Sequence, residues 1–156
     1  MRPMLKQKQK WRHGEDGHMG DCYRTCIANY LGIDRDSVPH FVEEYGGPDG
    51  EDGESVQNAI REWLSRHRLL FLEVALNSTL TVEEAATIGA HWLGAIDRVM
   101  VGGKSVNGTN HIVLWEKGDW FDSAIDHEGL GHSLVGPQLD GVWWVMAIVP
   151  SWESRS

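Results

Sequence analysis

The sequence predicts a single α+β domain, in which helices pack on a small antiparallel sheet. Most of the chain up to residue 93 has apolar residues at helical spacing, with capping residues or glycines where each run ends. After residue 95, short apolar runs alternate with glycine-bearing loops, which is typical of strands joined by turns. Helices followed by strands indicate the α+β class, and 156 residues suit one domain over 1–156, with 1–19 as an extended segment and loop.

The best-defined element is a helix that begins at Cys22 and ends at Leu31. One face of this segment repeats with the spacing of a helix, at Cys22, Cys26, Ile27, Tyr30 and Leu31. Asp21 is a favourable N-cap, and Gly32 suits the position that follows a helix end. The sequence therefore places Cys22 at the N-terminus of the first long helix.

The remaining elements follow from capping residues, apolar runs and turn signals. A short second helix is expected to start within 37–41, with Pro39 in its first turn. Ser55 and Thr81 are the expected N-caps of two further helices. These helices cover 56–67 and 82–93; strands are expected at 69–75, 96–101, 111–116, 120–123 and 142–149, with loops at 46–53, 102–110 and 126–141. We expect the helices and the sheet to form one pair of layers.

Charge and composition exclude several classes of protein. A formal net charge of −9 argues against a nucleic-acid partner, because phosphate binding needs clustered lysine and arginine. The basic residues that do cluster are expected to form a solvated arm: Lys6, Lys8, Lys10 and Arg12. No run reaches the ~20 apolar residues of a membrane span, and no apolar signal-peptide segment follows the basic N-terminus. Cys22 and Cys26 share a helix, whose geometry does not suit a disulfide, so we expect free thiols and a cytoplasmic location.

Three residues suggest nucleophilic chemistry. A thiol reacts as thiolate, and a helix N-terminus, where Cys22 lies, favours the thiolate. His111 opens a strand, and Asp122 follows on the next strand after a tight turn at Lys117-Gly118, so the hairpin brings the two side chains to one end of the sheet. A base oriented by a carboxylate is what such a nucleophile requires. Taken alone, two of these residues have simpler interpretations. The cysteine could be a small buried hydrophobic residue, and the histidine could have a structural role.

Two blocks of the chain resemble a known family. The segment from Gly20 to Gly32, GDCYRTCIANYLG, resembles the nucleophile-bearing helix of papain-fold cysteine peptidases, and most closely that of the bacteriocin-leader peptidases. The stretch VPHF at 38–41, NHIVLW at 110–115 and WFDS at 120–123 are similar to small uncharacterised proteins of phages and prophages.

The resemblance implies a function and a role for each residue. Cys22 would be the nucleophile, His111 the general base and acid, and Asp122 the residue that orients the imidazole. It implies a papain-like fold, with the cysteine-bearing helix packed on the antiparallel sheet, and hydrolysis of a peptide or protein substrate by a peptidase or an amidase/isopeptidase. A phage or prophage origin is implied as well, and no cofactor or metal is expected.

The oxyanion hole departs from the family pattern. The family has a glutamine a few residues before the cysteine, whereas the nearest glutamines here are Gln9 and Gln7, 13 and 15 positions upstream. We expect Gln9 and the backbone N–H of Cys22 to hold the oxyanion, since losing such a donor costs ~10²–10³ in rate. The residues expected to contact the substrate lie beside the cysteine and the histidine: Gly20, Asp21 and Asn110.

Three alternative hypotheses remain open from the sequence. The missing nearby glutamine and the acidic charge are compatible with a catalytically weak or inactive papain-fold protein that inhibits or sequesters a host partner. A redox role for Cys22 with Cys26 would need a second accessible thiol of low pKa. A metal site would draw on polar loop residues whose spacing matches no common zinc motif, namely Asp16, His18, Asp126, His127 and His132.

Overall fold

The computed structural model describes residues 22–47, 52–95, 97–106, 108–123 and 131–151. In chain order these residues form α1 (Cys22–Leu31), a 3-10 turn (Arg35–Ser37), α2 (Phe41–Tyr45), α3 (Gly53–Arg66), β1 (Leu69–Asn77), α4 (Val82–Leu93), β2 (Arg98–Ser105), β3 (Asn110–Glu116), β4 (Asp119–Phe121), β5 (Leu134–Gly136) and β6 (Val142–Pro150). The α+β class is confirmed. Within these ranges, no helix is long and apolar enough to cross a lipid bilayer.

The strands form one open antiparallel sheet. The order across the sheet is β1-β6-β2-β3-β4, and β5 pairs with the end of β2. Strands β3 and β4 form the predicted hairpin, with Lys117 at φ 51° and Gly118 at φ 89° in its turn. Because β4 pairs only as far as Phe121 with Leu114, the residues that follow β4 lie at the end of the sheet where β3 starts. This hairpin geometry positions the candidate site.

Helices cover both faces of the sheet, so the prediction of one layer pair was wrong. Helices α1, α2 and α3 pack on one face, where Ile112 and Leu114 of β3 belong to their core. Helix α4 packs on the other face, where its alanines meet Val113 of β3 and Val145 of β6. The central strands are apolar on both faces, so two layers of helices are needed to cover them.

Strand β2 is longer than predicted, and its two glycines explain the error. Gly102 and Gly103 were expected in a loop, but they pair with Ile112 and His111 of β3. A β-carbon at Gly103 would lie 2.6 Å from Cζ3 of Trp143 and 2.8 Å from a backbone oxygen of β5. Glycine is therefore required here by close packing within the strand. Strand β5 also falls inside the predicted loop 126–141.

The helix caps were predicted with mixed success. Thr81 caps α4 as expected, and Glu84 completes a reciprocal capping box. Ser55 does not cap α3, because Asp52 begins the helix earlier: its carboxylate accepts from the Ser55 N–H at 3.1 Å and from the Ser55 hydroxyl at 2.8 Å. Helix α2 begins at Phe41, after a cap by His40, and the expected turn around Pro39 is not helical.

Candidate active site

Helix α1 begins at Cys22, as predicted, and packs against β3 and β2. The Cys22 side chain is partly exposed, whereas Cys26 is 2 % exposed in the core one turn further along the helix. The expected N-cap Asp21 lies outside the described residues, as do Gly20 and Gln9, so their predicted roles stay predictions. The candidate nucleophile Cys22 therefore lies at the partly exposed N-terminus of α1.

His111 and Asp122 form a buried, hydrogen-bonded pair. His111 is the second residue of β3, and Asp122 is the first residue after β4. Nε2 of His111 lies 2.7 Å from Oδ1 of Asp122, and the two residues are 7 % and 6 % exposed. The hairpin thus brings the imidazole and the carboxylate together, as its register predicts.

Cys22 is the second partner of the His111 imidazole. Burial lowers the pKa of His111, but the hydrogen bond to Asp122, the hydrogen bond and negative charge of Cys22, and the charge of Asp122 outweigh this and raise the pKa to about 10. His111 is therefore an imidazolium at neutral pH. Because Nε2 is bonded to Asp122, Nδ1 is the ring nitrogen left to face the thiol.

Ser133 is a member of the site that the sequence did not indicate. Oδ2 of Asp122 accepts from the backbone N–H of Ser133 at 2.7 Å and from its hydroxyl at 2.6 Å. Ser133 lies in the segment 126–141, which was predicted to be a loop, and the sequence predicted no role for this serine. No local pattern marks it, since the contact joins residues 11 positions apart.

The thiol and the phenol nearest to Cys22 on α1, those of Cys26 and Tyr23, are difficult to ionise. Burial raises the pKa of Cys26, and the charges of Cys22 and Asp122 raise it further. Burial likewise raises the pKa of Tyr23, whose hydroxyl accepts from Nε2 of Gln57 at 3.0 Å. Cys26 is thus held as a neutral thiol in the core, which does not suit the resolving role that a redox pair would require.

Asn110 and His132 have structural partners. Oδ1 of Asn110 accepts from the backbone N–H of Leu139 at 2.9 Å, so this side chain anchors the loop between β5 and β6; its contact with substrate stays a prediction. His132 packs edge-on against Trp120. The other residues considered as metal ligands lie outside the described ranges. Among the described residues, no cluster of three or more potential metal ligands occurs.

In Cys22→Ala, we expect the unfolding free energy to fall between pH 6.5 and 8.5 because of His111. The variant is used because proton uptake by a Cys22 thiolate on unfolding would offset the proton that His111 releases. The hydrogen bond to Asp122 and its charge keep the folded-state pKa of His111 above the unfolded value, so this stabilisation is complete below pH ~6.5 and is lost as pH rises through the folded pKa. The expected loss across this window is about 1–2 kcal/mol, measured by urea denaturation. The acids Cys26 and Tyr23 contribute only at higher pH.

The matched control for this pH dependence is a histidine on the surface. In the Cys22→Ala background, His111→Gln should remove the fall, whereas His67→Gln, at the exposed end of α3, should keep it. A flat profile of Cys22→Ala between pH 6.5 and 8.5 would contradict a buried imidazolium.

Comparison of the chain with protein-family models, with curated proteins and with solved structures gave no match. The His111 imidazole hydrogen-bonds to the buried Asp122 carboxylate, and the side chain of Cys22, at the start of α1, is near enough to raise the pKa of that imidazole.

Proposed function

We propose that this protein is a cysteine hydrolase of papain-like fold, which cleaves a peptide, amide or isopeptide bond of a peptide or protein substrate. The observation that carries the proposal is the position of His111 between two partners, the Cys22 side chain and the Asp122 carboxylate. An imidazole held between a thiol and a carboxylate is the arrangement that nucleophilic acyl transfer requires.

In the acylation step, the Cys22 thiolate attacks the carbonyl carbon and forms a carbon–sulfur bond. The His111 imidazolium gives a proton to the leaving nitrogen, and the carbon–nitrogen bond breaks to release the amine. The raised pKa of His111 supports this order, because the proton is already on the ring before the substrate reacts. The product is a thioester on Cys22 and a neutral imidazole.

In the deacylation step, His111 takes a proton from water, which attacks the thioester carbonyl. The carbon–sulfur bond then breaks, so that the thiolate and the imidazolium are restored and the acid is released. Asp122 holds the ring through Nε2 in both steps, which keeps Nδ1 directed at the reacting atoms.

The oxyanion that forms in both steps needs hydrogen-bond donors. The backbone N–H of Cys22 suits this role, because the first N–H groups of a helix have no acceptor within the helix. Gln9 is the proposed side-chain donor, with Gly20, Asp21 and Asn110 at the substrate. Without such a donor the rate would be ~10²–10³ lower.

Iodoacetamide labelling followed by peptide mass mapping tests the thiol–imidazole pair. We expect Cys22 to be alkylated at least ~10-fold faster than Cys26, because Cys26 is a buried neutral thiol. In His111→Ala, alkylation of Cys22 should slow by roughly 10²-fold, the low end of what a positioned proton-transfer group contributes.

His91→Ala, which removes an exposed histidine from the last turn of α4, is the matched control and should leave labelling unchanged. Equal rates for the two cysteines, unaffected by His111→Ala, would contradict the proposal. Such a result would favour the inactive binding protein that inhibits or sequesters a partner.

A further inference from the structure

We infer that Ser133 is a positioning residue of the site, which fixes the Asp122 carboxylate in its charged form and in the orientation that His111 needs. The inference rests on the proposed function and adds a fourth member to Cys22, His111 and Asp122. It is carried by the two donors that Ser133 directs at one oxygen, its N–H at 2.7 Å and its hydroxyl at 2.6 Å from Oδ2.

The two oxygens of Asp122 have separate tasks. Oδ1 faces Nε2 of His111 at 2.7 Å, while Oδ2 faces Ser133. Binding at both oxygens prevents the carboxylate from rotating away from the imidazole. Hydrogen bonds donated to a carboxylate also stabilise its negative charge, which the buried imidazolium requires as its counter-charge.

Ser133 is itself held by residues of other elements. Its carbonyl oxygen accepts from the N–H of Val106 at 3.1 Å, just beyond β2. The preceding residue, His132, packs against Trp120 with ring centroids 4.7 Å apart and lies 4.0 Å from a carboxylate oxygen of Glu83 on α4. The segment that carries Ser133 is therefore fixed from the sheet and from α4, so the serine can orient Asp122 without large rearrangement.

The pH dependence of Cys22 alkylation by iodoacetamide tests this role. Among the described residues, the charges of His111 and Cys26 interact with Asp122, and Cys22 interacts with both of them. The acid limb of the profile, where the labelling rate rises with pH, therefore reports the coupled site as a whole. Removing the hydroxyl in Ser133→Ala weakens the stabilisation of the carboxylate charge. We expect the acid limb to shift to higher pH by about one unit, a tenfold change in the protonation equilibrium.

A rescue variant of Ser133 and a control variant at a second serine distinguish a positioning role from a general effect on the structure. Ser133→Thr keeps the hydroxyl and should restore the wild-type limb. Ser123→Ala should leave the limb unchanged, since the buried Ser123 hydroxyl has no partner among the described residues although it is adjacent to Asp122. If Ser133→Ala does not fold, Ser133→Cys has a similar volume and a weaker donor, and a smaller shift in the same direction is expected.

Two results would overturn the inference: an unshifted acid limb in the folded variant, or slower labelling by the same factor at every pH. These results differ from a failure of the proposed function. If Cys22 labelling in the wild-type protein does not depend on His111, the hydrolase proposal itself fails. If labelling depends on His111 but the limb does not move in Ser133→Ala, only the role of Ser133 fails.

Discussion

We expect Cys22→Ala to abolish the acyl-enzyme that the proposed function requires, with a loss of about 10⁴-fold or more in acyl transfer. The variant lacks the sulfur that attacks the carbonyl carbon in the proposed mechanism. His111 and Asp122 remain in place, but they cannot form a bond to the substrate themselves. The measurement uses p-nitrophenyl acetate, an activated ester that needs no specific recognition. The wild-type protein should release p-nitrophenolate in a burst and gain one acetyl group on Cys22, detected by mass spectrometry.

Two further cysteine variants test whether the burst depends on the thiol of Cys22. Cys26→Ala removes the only other thiol of the chain and should keep the burst, because Cys26 is buried and held as a neutral thiol. Cys22→Ser keeps the volume but replaces the thiol by a hydroxyl that stays protonated, and it should lose the burst as well. A burst of wild-type size in Cys22→Ala would refute Cys22 as the nucleophile.

Asp122→Ala will lower the unfolding free energy by about 3–5 kcal/mol, because it leaves a buried charge without its partner. The imidazolium of His111 lies in the interior with its Nε2 directed at this carboxylate, and Ser133 loses the acceptor of two hydrogen bonds. Urea denaturation at pH 7 measures the change. Asp119→Ala, in the exposed first position of β4, is the matched control and should stay within about 0.5 kcal/mol of wild type.

A double variant identifies the cause of this destabilisation. His111→Gln/Asp122→Ala removes both charges of the pair, so the double variant should be more stable than Asp122→Ala alone. If the two single effects simply add, the pair does not interact as the 2.7 Å contact requires. Asp122→Asn should be intermediate, because its amide keeps an acceptor for Ser133 but loses the negative charge.

Helices and turns were predicted correctly where a few neighbouring residues determine them. The helix that starts at Cys22, the Thr81 cap of α4 and the hairpin turn at Lys117-Gly118 follow from capping chemistry and from a glycine, Gly118, that adopts positive φ readily. The errors occur where distant packing decides. Gly103 suggests a loop by composition, yet it belongs to β2 because Trp143 and Gly136 approach too closely for a side chain.

The amino-acid sequence by itself determined which element carries each reactive group: the thiol of Cys22 at a helix start, and the imidazole of His111 and the carboxylate of Asp122 on one hairpin. These positions depend on caps, turns and strand alternation, which act over a few residues. Only the tertiary structure decided that Nε2 faces Asp122 and that Ser133 binds the second carboxylate oxygen. It also decided that α4 covers the face of the sheet opposite α1. Such contacts join residues from separate elements, and close packing of the whole chain selects them.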